Sequence, residues 1–126
     1  MKRIVMLLFC MPFLLLSGCN DSDDTNPIVC TLEAKAALNV TVSLDAMSSI
    51  TSDGVTVVAT EGNYSETLTV LNENDPIFTG AYERQGNYIL TVSKDGYQTY
   101  TSGVISISRD ECHVIPQQIH VVLLSN

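Results

Sequence analysis

Asp110-Glu111-Cys112-His113, with His120 a little further on, is the densest run of chemically capable side chains in this sequence. A hydrolase needs a nucleophile, a base within reach and a group that orients the base. His113 and His120 are the two histidines of the chain. Their odd separation turns them to opposite faces of an uninterrupted strand, although Pro116 between them can introduce a bulge. Neither stands in a Gly-x-Ser-x-Gly turn that would present a serine, so both read as partly exposed strand histidines. Asp110 and Glu111 could in principle cleave a glycoside, which takes two acids about 5 to 10 Å apart across a cleft. Adjacent acids on a turn read instead as a solvated loop. Cys30, Cys112 and the two histidines have the composition of a Cys2His2 metal site, with a spacing that fits no zinc-binding pattern. Phosphate-binding, dinucleotide-binding and zincin motifs are absent from the sequence. The chain therefore reads as a non-enzyme without a cofactor. The alternative is a small hydrolase or metal-dependent enzyme using His113, His120 and Cys112.

The fate of the cysteines depends on where the chain is made to go. Lys2 and Arg3 form a basic start, an apolar run extends from Ile4 to Leu16, and small residues precede Cys19. This is the three-part pattern of a secretory signal, and the run falls short of the roughly 20 residues of a membrane span. Leu16-Ser17-Gly18-Cys19 resembles a bacterial lipobox. That resemblance implies that residues 1–18 are removed and that Cys19 carries lipid. The rival reading is an ordinary signal in which Cys19 is incidental. Cys10 leaves with the signal, so Cys30 and Cys112 remain in a compartment that favours oxidation. They are expected to form one disulfide, with the metal site as the competing use.

Residues 19–29 read as a flexible acidic tether, because Asn20 to Pro27 has nothing to bury. Its aspartates miss the spacing of a calcium loop. The domain proper is expected over residues 30–126. Loss of Lys2 and Arg3 leaves Lys35, Arg84, Lys94 and Arg109 against all 14 acids. So acidic a surface argues against nucleic acid, which requires clustered cations, and against a polybasic grip on lipid headgroups. Attachment to the membrane would come through the lipid on Cys19. Asn20, where enteric-type retention signals carry Asp, points to the outer rather than the inner membrane of a cell that has both.

From Cys30 onward, short β-type runs alternate with turn clusters. Leu38, Val40, Val42 and Leu44 alternate with polar residues, which marks a strand with one buried face. Further strands are expected at Val55–Ala59, Tyr64–Leu71, Ile77–Tyr82, Tyr88–Val92, Tyr97–Thr101, Val104–Ile107 and Gln118–Leu124. Asp53-Gly54, Glu61-Gly62-Asn63 and Asp95-Gly96 supply turns. The expected fold is an all-β, antiparallel sandwich of about seven strands. Its core should include Leu38, Val40, Val42, Val57, Leu68, Tyr88, Leu90, Val92, Tyr97 and Ile107. Val121-Val122-Leu123-Leu124 breaks the alternation and reads as a strand buried on both faces, or else as an edge that pairs with a partner protein.

Gly86-Asn87-Tyr88-Ile89-Leu90-Thr91-Val92-Ser93-Lys94-Asp95-Gly96-Tyr97 resembles the signature of carboxypeptidase-regulatory-like domains. Gly54-Val55-Thr56-Val57 is similar to the family's Gly-Val-x-Val strand. The resemblance spans Ala37 to Leu124 and implies a transthyretin-like, Greek-key sandwich with a binding or accessory role and no named ligand. Phe78-Thr79-Gly80-Ala81-Tyr82 departs from the family's Thr-x-x-x-Gly-x-Phe hairpin, so the middle strands are open to a different pairing. Asp110-Glu111-Cys112-His113-Val114 is similar to a cysteine-bearing variant in bacterial lipoproteins. The function expected from all of this is an envelope lipoprotein whose sandwich acts as a non-catalytic binding or accessory module. A protein partner in the envelope is expected, with a structural subunit that pairs through a sheet edge as the alternative.

Overall fold

The computed structural model describes residues 27–126. The expected signal at 1–18, Cys19 and most of the tether lie outside the described residues. Among the described residues nine strands follow one another: β1 (Ala36–Leu44), β2 (Thr56–Glu61), β3 (Tyr64–Thr67), β4 (Thr69–Val70), β5 (Phe78–Tyr82), β6 (Gly86–Ser93), β7 (Tyr100–Thr101), β8 (Ile105–Ile107) and β9 (Gln117–Leu123). They form two sheets. The first has the order β4-β5-β1-β9, and the second has the order β3-β2-β6-β7 with β8 also on β6. Apolar side chains at alternate positions of β1, β2, β6 and β9 meet between the sheets. Leu38, Val40, Val42, Val57, Leu90, Val92, Val121 and Leu123 are all buried there, as period-2 patterning requires when one face of each strand is covered.

The all-β class is as the sequence indicates, with four differences in detail. The strands number nine rather than about seven, partly because the run from Tyr64 onward is divided. Tyr64–Thr67 pairs with β2 in one sheet, while Thr69 and Val70 pair with β5 in the other. Leu68 is the pivot: its N–H still reaches the Val57 carbonyl at 2.8 Å while its side chain enters the core. Alternation cannot reveal such a crossing, because both halves bury the same face.

The second difference is direction. β1 and β9 run parallel, in register from Leu38↔Gln117 to Leu44↔Leu123; the remaining strand pairs are antiparallel. Periodicity reports which face is buried and carries no information on polarity. The third concerns Val121 to Leu124. Val121 and Leu123 are 1% exposed, but Val122 and Leu124 are 42% and 55% exposed. β9 is thus buried on one face only, and it lies at the edge of its sheet. Tyr97, expected in a strand, makes only an isolated bridge to Ser125 and packs against the rim of the core.

Turn chemistry behaves as read. Gly62 closes the β2–β3 hairpin at φ +52°, and Gly96 occupies φ +81° after Asp95, conformations that glycine adopts without the Cβ penalty.

Candidate functional site

Cys30 and Cys112 are joined in a disulfide, their Cα atoms 5.2 Å apart and 82 residues apart in sequence. Cys30 lies a few residues before β1, and Cys112 lies in the loop that leads to β9. The bond therefore clasps the starting ends of the two parallel strands. A Cys2His2 metal site needs both thiolates, and the disulfide removes them.

Glu83 organises the same corner. It sits just after β5 at φ +52°. Its carboxylate accepts the Lys35 N–H at 2.8 Å, the Val114 N–H at 3.1 Å and His113 Nδ1 at 2.6 Å. Those donors, with the Lys35 N–H contributing most, hold the Glu83 carboxyl below its usual range. His113 Nε2 lies 3.0 Å from Thr31 Oγ1, which completes a Glu83–His113–Thr31 line. Asp110 shapes the loop beneath by accepting the N–H groups of Cys112 and His113 at 2.8 and 2.9 Å, and they lower its pKa. His113 thus belongs to a loop rather than to a strand.

A carboxylate, an imidazole and a hydroxyl in a line match the order of a nucleophilic triad, and here they also do ordinary structural work. The carboxylate is shared among three donors from two segments, Lys35 ahead of β1 and the adjacent His113 and Val114. The depression beside the disulfide is lined by Ile28, Arg109, Asp110, Glu111 and Cys112, not by Thr31 or His113. The cluster fastens the leading segment and the loop before β9 to the end of β5.

His120 stands on the outer face of β9, opposite Thr41 on β1. Its Nδ1 is 2.9 Å from Thr41 Oγ1, and its Nε2 is 3.0 Å from Ser43 Oγ. Ser43 is 2% exposed. Hydroxyls can donate or accept, so both ring nitrogens are satisfied in either neutral tautomer. This is the bland histidine that the sequence indicates, held by two side chains that nothing in its own neighbourhood announces.

A third polar cluster has no signal in the sequence. Arg84 Nη1 donates to Glu61 Oε1 at 2.9 Å and to the Tyr88 hydroxyl at 2.7 Å. Its guanidinium carbon lies 3.7 Å from the centroid of the Tyr64 ring, a stacking geometry that suits arginine. The other Glu61 oxygen accepts the Asn87 N–H, which is the main cause of that carboxyl's lowered pKa, ahead of Arg84. Gly86 is required beside it, because a Cβ there would collide with the Glu61 carboxylate. Burial, and then the hydrogen bond to Glu66, pushes the Tyr64 hydroxyl up to about 12. The cluster pins the β2–β3 hairpin to the start of β6.

Among the described residues β9 forms the longest edge of either sheet. The Asp45 N–H takes the Leu123 carbonyl at 2.8 Å, on the β1 side, and the Gln98 N–H takes the Leu124 carbonyl at 2.8 Å on the other. Backbone groups alternate sides along a strand. The N–H and C=O groups of Gln118, His120 and Val122 therefore point away from β1, and no strand among the described residues pairs with them. Beside this edge lies a small depression of about 100 Å³, lined by Gln98, Thr99, Tyr100, Val122 and Leu124. The other sheet edges are short: β3 has four residues, β4 and β7 two each, and β8 three.

No protein-family model matches the chain, and a search of curated proteins finds no relative.

The lowered carboxyls set an expected response to acid. A carboxyl with a depressed folded-state pKa contributes stability above its unfolded value and loses it as the pH falls through the folded value. Glu61, Glu83 and Asp110 all act in this direction. The thermal midpoint should stay level down to pH about 5 and then decline. Glu83→Gln should lower the midpoint at neutral pH and flatten the acid decline. Parallel declines in the two proteins, measured by circular dichroism from pH 7 to 2.5, would remove Glu83 from this account.

Proposed function

We propose that this chain is an envelope lipoprotein, anchored through lipid on Cys19, whose sandwich is a non-catalytic module that binds a partner protein along the edge of β9. One observation carries the binding mode. β9 is the longest edge strand among the described residues, and the sequence from Ile115 to Asn126 holds no Asp, Glu, Lys or Arg. Soluble proteins usually guard such an edge with charge, proline or a bulge. Apart from Pro116 just ahead of the strand, β9 carries none of these guards, and such an edge in so acidic a chain is suited to accepting an added strand. Main-chain bonds would supply affinity, and the depression at Tyr100, Val122 and Leu124 would supply side-chain selectivity. The likeness of Gly86–Tyr97 to carboxypeptidase-regulatory-like domains agrees with a binding role.

A photo-crosslinking residue placed at Val122 of the full chain, in cells fed labelled palmitate, tests both halves. Palmitate should enter the wild type and not Cys19→Ala. An adduct should form from position 122 and not from the exposed Thr67 on the opposite sheet's edge. An unlabelled wild-type chain refutes the anchor, and equal adducts from both positions refute the β9 site.

The second reading, a small hydrolase, is favoured by the Glu83–His113–Thr31 line alone. It requires esterase activity that Thr31→Ala abolishes.

A further inference from the structure

Charge at the two ends of β9 restricts what can pair with it. At its start the loop carries Asp110 and Glu111, both exposed. Of the neighbouring cations, Arg109 is turned onto the Cys112 carbonyl at 3.4 Å and Lys35 is paired with Glu33 at 3.0 Å. Glu83 lies in the same corner, occupied by His113. Past the far end, Asp45 accepts the Ser125 N–H at 2.8 Å, and Asp95 is exposed next to Gly96, whose carbonyl takes the Asn126 N–H. The cation there, Lys94, is turned onto the Asp53 carbonyl at 2.6 Å. An uncharged strip therefore runs between two ends at which carboxylates outnumber cations.

This pattern discriminates among occupants. In a symmetric pair of copies, β9 strands run antiparallel, and the Asp110–Glu111 end of one meets the Asp45–Asp95 end of the other. In a parallel, head-to-tail arrangement like ends meet. Acid faces acid in both cases, so a second copy of this chain is disfavoured. A strand with basic residues outside an uncharged centre meets both ends favourably.

Resting on the binding mode proposed above, we infer that the edge of β9 accepts an extended segment of another protein: about five uncharged residues, an aliphatic side chain placed to fill the depression at Val122, and Lys or Arg on both flanks. The aliphatic residue would lie against Tyr100 and Leu124. The outward N–H and C=O groups of Gln118, His120 and Val122 would complete the ladder.

The test uses the intact chain and three fluorescent peptides that share a Thr-Val-Thr-Val-Thr centre. One is flanked by Lys-Lys on both sides, one by Glu-Glu, and one has the lysine flanks with proline at the middle threonine. The lysine-flanked peptide should bind best, with the glutamate-flanked peptide at least about tenfold weaker at low salt. The proline peptide should not bind, which separates strand addition from attraction between a basic peptide and an acidic protein. Val122→Pro removes an outward N–H without touching the bonds to β1, and it should abolish binding. Val122→Lys, checked for an unchanged circular dichroism spectrum, should do the same if the proline variant fails to fold. Equal binding of the lysine and glutamate peptides, lost in Val122→Lys, keeps the edge and overturns the charge selection. Binding of the proline peptide, or no loss in either variant, overturns the edge itself. A sedimenting dimer abolished by Val122→Lys, or no binding of any peptide, overturns the inferred partner.

Discussion

Replacing both Cys30 and Cys112 with alanine should remove about 4–5 kcal/mol of stability, the chain-entropy value for a closed loop of this length. The two residues stand 82 positions apart, so the bond restricts most of the unfolded chain. A single substitution would leave a free thiol to react, so the double variant is the proper comparison. Its urea midpoint should drop sharply, and the denaturant slope should rise because a freed chain exposes more surface. The native state should also loosen locally. Beyond the disulfide, the leading segment is held by the Thr31–His113 hydrogen bond and the Lys35 N–H on Glu83. Hydrogen exchange should therefore accelerate first around residues 27–35 and 108–116. A midpoint shift equivalent to less than about 1 kcal/mol would mean that the reduced chain retains structure that already brings these segments together.

Leu90→Ala should cost about 2–5 kcal/mol. Leu90 is fully buried on β6, opposite Ala59 of β2, and its backbone N–H is held by Ser102 Oγ at 2.8 Å. Truncation leaves a cavity between two packed sheets. Ile89, its neighbour on the opposite face, is 38% exposed. Ile89→Ala should shift stability by about 0.5 kcal/mol or less. The pair serves as its own control, since both variants lose a similar aliphatic side chain from the same strand. Similar losses at the two positions would contradict the assignment of faces on β6.

What the sequence discloses is local. Alternation in Leu38–Leu44 and Tyr88–Val92 identifies the inward faces, and nine of the ten expected core residues are buried, with Tyr97 at the rim. Alanines escape such a reading: Ala37, Ala59 and Ala81 are buried, but a small side chain weakens the periodic signal. Val114 escapes because it lies in a loop and is buried by contacts that Glu83 organises from a distance. The bond between Cys30 and Cys112 is legible by elimination if the start of the chain is read as a secretory signal. The clusters around Glu83 and Arg84 are not, because their members come from segments that only the fold brings together. At Glu83 a left-handed backbone in a non-glycine residue aims the carboxylate at its donors, and residue type gives no warning of that geometry. The neutral stretch from Ile115 to Asn126 is plain in the sequence, but it acquires meaning only when β9 is seen to occupy an edge.

The clasp at the starting ends of β1 and β9 has a mechanical consequence. Tension applied to residues ahead of Cys30 reaches the disulfide before it reaches β1. The covalent bond diverts that force to Cys112 and onward into β9. If the pull is resisted by a strand held along β9, the path from the leading segment to that strand bypasses β1 and the core. Directed along the strand, the force would strain a whole row of hydrogen bonds in shear at once rather than peeling them apart singly. The domain would then act as a link under tension that stays folded while its two attachments are drawn apart.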